Sequence, residues 1–294
     1  MRRGRYYLGR VLKLGRLDQD RLMGAIRHSS IVSVRDYTWT ITDVKEGEIE
    51  QQNYIFGKLS KYSQEGHVTI VDSDSKSQVD ALAPNLLQAS SPFLYLPGYS
   101  GIAYLHVWNG IQEDVFRRRF KAIIEDTHDN FFVDCTIEPI TDYRTFLAKV
   151  SKIERITEIS AKVHPPNPLF GRIWSSLDKY IKKRNADEIN IKESKEGNDG
   201  IRSSITVIIE AILKNPSYEP IQPPDITDAA LLMAADGYGK GAVTGQEGNA
   251  QVTIRTGDNQ KSFLFPKEPS PDELALNAIH LFERINKERD MRHD

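Results

Sequence analysis

Residues 93–107 read FLYLPGYSGIAYLHV, and this stretch predicts a β-hairpin. Two apolar runs, Phe93–Leu96 and Ile102–Val107, flank Pro97–Gly101, whose proline and two glycines favour a reversal of the chain. Runs rich in β-branched and aromatic residues come earlier, at Ile31–Thr42 and Asn53–Leu59. We therefore expect residues 1–110 to form a mostly antiparallel β unit.

The pattern changes after residue 110, where predicted helices and strands alternate. Apolar residues recur at helical spacing in Glu113–Glu125 and Asp142–Ser151, whereas Phe131–Ile140 and Ile153–Val163 have the composition of strands. The prolines that follow Val163 predict the end of a strand and the start of a helix at Leu169–Arg184.

The last hundred residues predict a further mixture of elements. In chain order these are a short strand at Ala186–Lys192, helices at Arg202–Lys214 and Asp225–Asp236, a glycine-rich loop at 237–248, a hairpin that joins Gln251–Arg255 to Ser262–Phe265, and a terminal helix from Pro271 to about Arg289. The predicted fold class is α+β, with an antiparallel unit at 1–110 and a second, α+β unit at 111–294.

Composition limits the class of protein. With 294 residues, of which 39% are hydrophobic and 27% charged, the chain is long enough for two packed units and apolar enough for a buried core. No apolar run approaches the roughly 18 residues of a membrane span, and no apolar signal segment follows the arginine-rich N-terminus. The single cysteine, Cys135, cannot form an intrachain disulfide, which is typical of a reducing compartment. We expect a cytoplasmic protein without membrane insertion.

No sequence motif for catalysis or metal binding is recognisable. The glycine stretch Gly237–Gly241 follows a predicted helix, whereas a dinucleotide-binding loop follows a strand and opens a helix. We interpret it as a mobile connection, with a phosphate contact through Lys240 and the backbone N–H groups as the alternative. The seven histidines lack the spacing of metal ligands, and Asp72 and Asp74 are typical of a turn. We expect no catalytic residue, no metal and no cofactor.

Positive charge is concentrated locally although the formal net charge is −2. One cluster lies at the N-terminus, a second within a predicted helix and a third at the end of another helix, where lysine and arginine also complement the helix dipole. Most such clusters are solvated surface, and binding of DNA phosphates requires that the charge be segregated to one face. The candidate DNA-binding residues are Arg2, Arg3, Arg5, Arg117, Arg118, Arg119, Lys182, Lys183, Arg184 and Lys240.

One stretch carries a family resemblance. The predicted strand that ends near Ala161–Lys162 runs into the segment Pro168–Leu169–Phe170–Gly171–Arg172–Ile173. This order of features resembles the RexA-type phage-exclusion proteins and their relatives in phage defence, in which an Ala–Lys step precedes a Pro-x-Phe-Gly-x-Ile helix start. Pro92–Phe93–Leu94–Tyr95 and the strand Asp187–Lys192 are also similar to that layout, so the resemblance covers about residues 50–215.

The resemblance implies a homodimer that binds double-stranded DNA with little sequence preference and acts as a sensor or regulator in phage exclusion, with a second defence-system protein as a further partner. It implies no catalytic residues, so the ten cations are nominated by charge. Two other classes stay open. One is a protein-interaction or antitoxin-like module with scattered cations and an exposed apolar patch. The other is a metal-dependent, nuclease-like enzyme whose carboxylates meet only in the fold, drawn from Asp72, Asp74, Asp126, Asp129 and Glu138.

Overall fold

The computed structural model describes residues 2–166, 168–197, 199–215 and 218–293. It confirms the α+β class, since helices make up 31% of the chain and strands 44%. The helices in these ranges are α1 (Gln19–Arg27), α2 (Glu113–Asp126), α3 (Tyr143–Val150), α4 (Ser175–Arg184), α5 (Ile205–Lys214), α6 (Ile226–Met233) and α7 (Pro271–Glu288). None of the helices in the described part of the chain is long and apolar enough to cross a membrane.

The larger sheet is antiparallel and contains eight strands within the described ranges. They are β1 (Arg3–Gly15), β2 (Val32–Val34), β3 (Tyr37–Ile49), β4 (Gln52–Asp72), β5 (Ser77–Leu96), β6 (Gly101–Leu105), β7 (Val133–Pro139) and β13 (Ser262–Pro266). Strand β1 pairs with β6, and it also pairs with β13 near its start and with β7 near its end. Because β7 and β13 come from beyond residue 110, this sheet extends past the predicted boundary between the two units.

The predicted hairpin at residues 93–107 is confirmed as β5 and β6, joined by one tight helical turn at Pro97–Tyr99. Alternate side chains of β5 enter different cores: Phe93 and Tyr95 pack against α1 and α2, whereas Leu94 and Leu96 pack on the opposite side, where α7 lies. The ring of Phe93 meets Phe116 and Phe120 of α2 edge to face. Both faces of the larger sheet are therefore covered near its centre.

Strands β4 and β5 continue far beyond the sheet as a two-stranded ribbon that the sequence analysis did not predict. Their pairing runs from Ile55 and Tyr95 out to Asp72 and Ser77, whereas β3 accompanies β4 only as far as Tyr62. At the tip, Asp72 Oδ1 accepts hydrogen bonds from the backbone N–H groups of Asp74 and Ser75, which agrees with the turn predicted for these aspartates.

The smaller four-stranded sheet corrects the predicted C-terminal hairpin. Its strands, in spatial order, are β10 (Ile189–Ser194), β8 (Arg155–Val163), β11 (Gly239–Glu247) and β12 (Ala250–Arg255). The hairpin partner of β12 is β11, whereas β13 crosses to the larger sheet and pairs with β1. Local pattern identified the β12 and β13 strands correctly, but pairing depends on distant residues and was predicted wrongly.

The glycine-rich segment is not a loop, which corrects the prediction for 237–248. Residues 234–238 form a buried, widened helical turn, and β11 follows at once. A Cβ on Gly239 would collide with the backbone carbonyl of Lys162 on β8, and one on Gly241 would collide with Leu231. The glycines therefore serve close packing of backbone rather than flexibility.

The helix predicted at Leu169–Arg184 begins later, at Ser175. Residues Leu169–Gly171 instead form the short strand β9, which pairs with the C-terminal strand β14 (Met291–His293). A Cβ on Gly171 would overlap the indole of Trp174, so the chain turns tightly there before the helix starts. The pairing of β9 with β14 competes with the predicted start of the helix. Because β14 lies more than a hundred positions away in the chain, the local sequence does not indicate this pairing.

Candidate functional site

A concave surface between the two sheets brings cationic side chains from five strands and helices together. Two adjoining cavities form it, with volumes of about 470 and 640 Å³, and Arg117, Gly257 and Asp258 line both. We call this surface the basic groove and define it by its five cations, which are Arg5 on β1, Arg117 on α2, Lys162 on β8, Lys240 on β11 and Arg255 on β12.

The floor of the groove is the outer face of the smaller sheet. Lys162 and Lys240 lie directly opposite each other on β8 and β11, an arrangement of like charges that destabilises an antiparallel pair. Lys162 Nζ is 2.6 Å from a Glu188 carboxylate oxygen, but Lys240 remains 77% exposed, with its ammonium 3.7 Å from Glu138. The next opposed pair, Ser160 and Ala242, has small side chains and leaves the floor open.

The other three cations form the rim. Arg255 ends β12, stays 64% exposed, and lies 3.9 Å from the carboxylate of Asp258. Arg5 donates a hydrogen bond to Ser262 Oγ at 3.0 Å. Arg117 faces both cavities, and no carboxylate of the described residues lies within ion-pair distance of its guanidinium. These guanidinium groups can therefore bind an anionic ligand with little rearrangement.

Carboxylates also line the groove, and most of them are already engaged. Glu113 lies 2.6 Å from His106 Nδ1, and Asp142 caps α3 by accepting a hydrogen bond from the Thr145 N–H at 2.9 Å. The groove is thus a mixed surface with a small excess of cations, rather than a uniformly positive one.

Glu138 is the exception among these carboxylates. It lies on β7 at the base of the smaller cavity and is only 4% exposed. Burial raises the pKa of the Glu138 carboxyl above its ordinary value, and the nearby charges of Lys240 and Arg117 oppose that rise. Its nearest cation among the described residues is Lys240, at 3.7 Å, which is beyond a good hydrogen bond.

The structure brings together three of the ten predicted DNA-binding residues, namely Arg5, Arg117 and Lys240. Arg3 lies two residues before Arg5, so strand alternation places it on the same face of β1, and Arg2 precedes it in an exposed position.

The remaining predicted residues lie outside the groove. Arg118 donates to an Asp114 carboxylate oxygen at 2.9 Å, and the guanidinium of Arg119 lies over the Trp39 ring, 5.3 Å from its centre. The α2 cluster is therefore split, because successive residues of a helix point in different directions. Lys182, Lys183 and Arg184 end α4 and line neither cavity of the groove.

Sequence reasoning did not identify Lys162 and Arg255 as binding residues. Lys162 stands between two apolar strand residues, Ala161 and Val163, which indicates only that its side chain faces outward. Nothing in the local sequence of either residue shows that they meet, because they belong to strands that are joined through β11.

The carboxylates considered for a nuclease-like site do not converge. Asp72 and Asp74 lie at the tip of the ribbon, Asp126 ends α2, and Glu138 lies in the groove. Over the described ranges, no three His, Cys, Asp or Glu side chains are close enough to hold a metal ion.

Comparison with known proteins gives one family match. A family model described as a domain of unknown function, DUF4747, matches residues 20–215, which is more than half of the chain and includes Arg117, Glu138 and Lys162. No curated protein is significantly similar to the chain.

Proposed function

We propose that this chain, which belongs to the DUF4747 family, binds double-stranded DNA through its phosphates with little sequence preference. The observation that supports this proposal is the basic groove, where two opposed lysines and three arginines from separate elements face one concave surface. The protein acts without catalysis, in the cytoplasm, as a homodimer that takes part in phage exclusion together with a second defence-system protein.

The chemistry of the groove suits phosphate rather than bases. Lysine and arginine side chains bind phosphate oxygens with charge-assisted hydrogen bonds, and such contacts carry no sequence information. The opposed pair Lys162 and Lys240 is stabilised when an anion lies between the two ammonium groups, because their mutual repulsion is then offset. Since net charge is −2, binding depends on this local surface and weakens as salt screens it.

A salt series with a fluorescent random duplex tests the proposal. The double variant R117A/K240A removes one rim and one floor cation, and we expect the logarithmic salt slope to fall by about 2, since each phosphate contact contributes about 0.9. The matched control R118A/K183A removes two cations that line neither cavity, and it should leave affinity and slope nearly unchanged. Absence of binding at low salt, or equal losses in both variants, contradicts the proposal.

The role in phage exclusion rests on the resemblance of residues 159–177 to the RexA-type proteins. It is tested by efficiency of plating on a bacterial host that expresses the wild-type chain or R117A/K240A. We expect protection by the wild type and its loss in the variant at equal protein level. Equal plating of phage on the two strains would show that exclusion does not depend on DNA binding through the groove.

The exposed ribbon favours a second candidate function, a protein-interaction module that pairs with a second copy of the chain. On one face of the ribbon the opposed pairs are Ile70 with Val79, Val68 with Ala81, and Gly66 with Ala83, all apolar. Ile70 is 50% exposed and Val79 43% exposed. An isolated two-stranded ribbon is marginally stable in water, and its edges beyond residue 62 are unpaired among the described residues. A second copy related by a two-fold axis can pack its own apolar face against this one and shield both from water.

Light scattering of I70S/V79S and of V71S/L82S tests whether the chain self-associates through the apolar face of the ribbon. The first pair lies on the apolar face, while Val71 and Leu82 lie on the opposite face and are 69% and 70% exposed. We expect a wild-type dimer, a monomer for I70S/V79S and a dimer for the control. A wild-type monomer at tens of micromolar removes the support for self-association.

A further inference from the structure

The smaller cavity of the basic groove contains a feature that DNA backbone binding alone does not require. Its base holds the carboxyl of Glu138, 94% of whose side chain is shielded from solvent, inside a cavity of about 470 Å³. A buried carboxylate without good hydrogen-bond donors is costly. An acidic group at the base of a phosphate-binding surface also repels phosphate, so its position needs a separate explanation.

The residues that line the cavity around Glu138 include both cationic and apolar ones. Arg117, Lys162, Lys240 and Arg255 supply positive charge, whereas Pro139 and Ala161 are apolar. A ligand that is anionic at one end and offers a hydroxyl or amino donor at the other satisfies both the cations and the carboxyl of Glu138. A volume of about 470 Å³ is within the range of small-molecule sites.

We infer that this cavity is a binding site for a single nucleotide unit, whose phosphate contacts Lys162, Lys240 and Arg255 and whose sugar hydroxyl or base amino group donates to Glu138. The inference deepens the proposed DNA binding by naming the unit that enters the groove. The same chemistry is supplied by a free deoxynucleotide or by the 5′-phosphorylated end of a DNA strand, and both are tested.

Calorimetry with two probes, a deoxynucleoside 5′-monophosphate mixture and inorganic phosphate, tests the site. We expect the wild-type chain to bind the nucleotide at least about tenfold more tightly than phosphate. In E138Q the nucleotide preference should fall about tenfold, because a charge-assisted hydrogen bond is lost, while phosphate binding stays equal or becomes tighter, because a repulsive charge is removed. K240A should weaken both probes, and K183A, outside the cavity, should weaken neither.

Thermal unfolding of each variant shows whether it is folded. The ratio of the affinities for the two probes, measured in one variant, does not change when part of the protein is inactive. Failure of the wild type to bind nucleotide, or an unchanged nucleotide preference in E138Q, overturns the inference.

Closed circular duplex separates this inference from the proposed function, because it has phosphates but no strand ends. Binding of the circle without binding of mononucleotide leaves the proposed function standing and refutes the inference. Binding of mononucleotide without binding of the circle leaves the inference standing and refutes the proposed function. If both bind, the 5′-phosphorylated linear duplex is compared with the circle. Tighter binding of the linear duplex, abolished by competing mononucleotide, identifies strand ends as the ligand. Equal binding of the circle and the linear duplex identifies free nucleotide as the ligand.

Discussion

Asp236 lies at the centre of a buried hydrogen-bond network. Its carboxylate accepts hydrogen bonds from Tyr143 Oη at 2.8 Å, Trp174 Nε1 at 2.7 Å and Arg289 Nη1 at 2.7 Å. Arg10, on β1, donates to the backbone carbonyl of the same residue at 2.9 Å. These groups come from β1, α3, the segment before α4 and the end of α7, so one buried carboxylate links both parts of the chain.

The D236N substitution should reduce the free energy of unfolding by about 3–5 kcal/mol, as expected when one partner of a buried ion pair is removed. The amide keeps the shape of the side chain but leaves the buried guanidinium of Arg289 without a counter-charge. Urea denaturation measures the effect, with D258N on the exposed rim of the groove as the control. A loss below about 1 kcal/mol in D236N would show that the network is not a stabilising unit.

Lys13 provides a second prediction for a single residue. Its ammonium donates to Ser100 Oγ at 2.5 Å, and burial lowers the pKa of Lys13 to about 8. The unfolded chain, with the ordinary pKa of 10.5, binds more protons at pH 8–10.5, so this residue makes the free energy of unfolding rise with pH across that window.

Lysine-to-methionine substitution at position 13 removes the buried charge. We expect K13M to raise the free energy of unfolding at pH 7 by about 1–3 kcal/mol and to reduce its rise between pH 8 and 10. Urea denaturation of both proteins at several pH values measures this. Parallel pH profiles for wild type and K13M would contradict the lowered pKa.

Among the single elements, β11 and the turn after it contain glycines with different structural roles. Gly239 approaches the backbone of β8 so closely that any side chain must displace it, whereas Gly248, with a φ of +60°, has no atom near the position of a Cβ.

We expect G239A to lower the free energy of unfolding by about 2–3 kcal/mol through overpacking, and G248A by about 1 kcal/mol through its backbone conformation. Thermal and urea denaturation measure the difference. Equal effects of the two substitutions would favour the flexible loop that the sequence suggested.

At the scale of the whole molecule, β1 joins regions that are distant in the chain. It pairs with β6 from the first 110 residues and with β7 and β13 from the remainder, and the main apolar core includes Leu8, Leu94, Val163 and Phe282. The units predicted at 1–110 and 111–294 therefore share a sheet and a core.

Expressed alone, the fragments 1–110 and 111–294 should each fail to fold, because each exposes sheet edges and apolar surface that the other covers. Circular dichroism with denaturant titration checks this, with the full chain as the reference. Cooperative unfolding of either fragment would indicate that the predicted units are independent domains.

Short-range patterns in the sequence were sufficient for the fold class and for most elements. The hairpin of β5 and β6, the helices α2 and α3 and the strand β8 follow from spacing of apolar residues and from turn residues, because these depend on neighbours within a few positions. The ribbon was missed although Val68–Val71 has the β-branched residues of a strand, because the full length of β4 there depends on its pairing with β5.

Which cations share a surface follows from the folded arrangement of the strands and cannot be derived from local sequence. Arg10 belongs to an arginine-rich N-terminal sequence but is buried against Asp236 and the Tyr99 carbonyl, whereas Lys162 and Arg255, isolated in sequence, complete the basic groove. Residue types and their spacing along the chain established the charge of each side chain, the period of the apolar residues and the lack of a recognisable catalytic motif. Strand pairing between distant segments determined the rest, because the direction and burial of a side chain depend on partners that no local window contains.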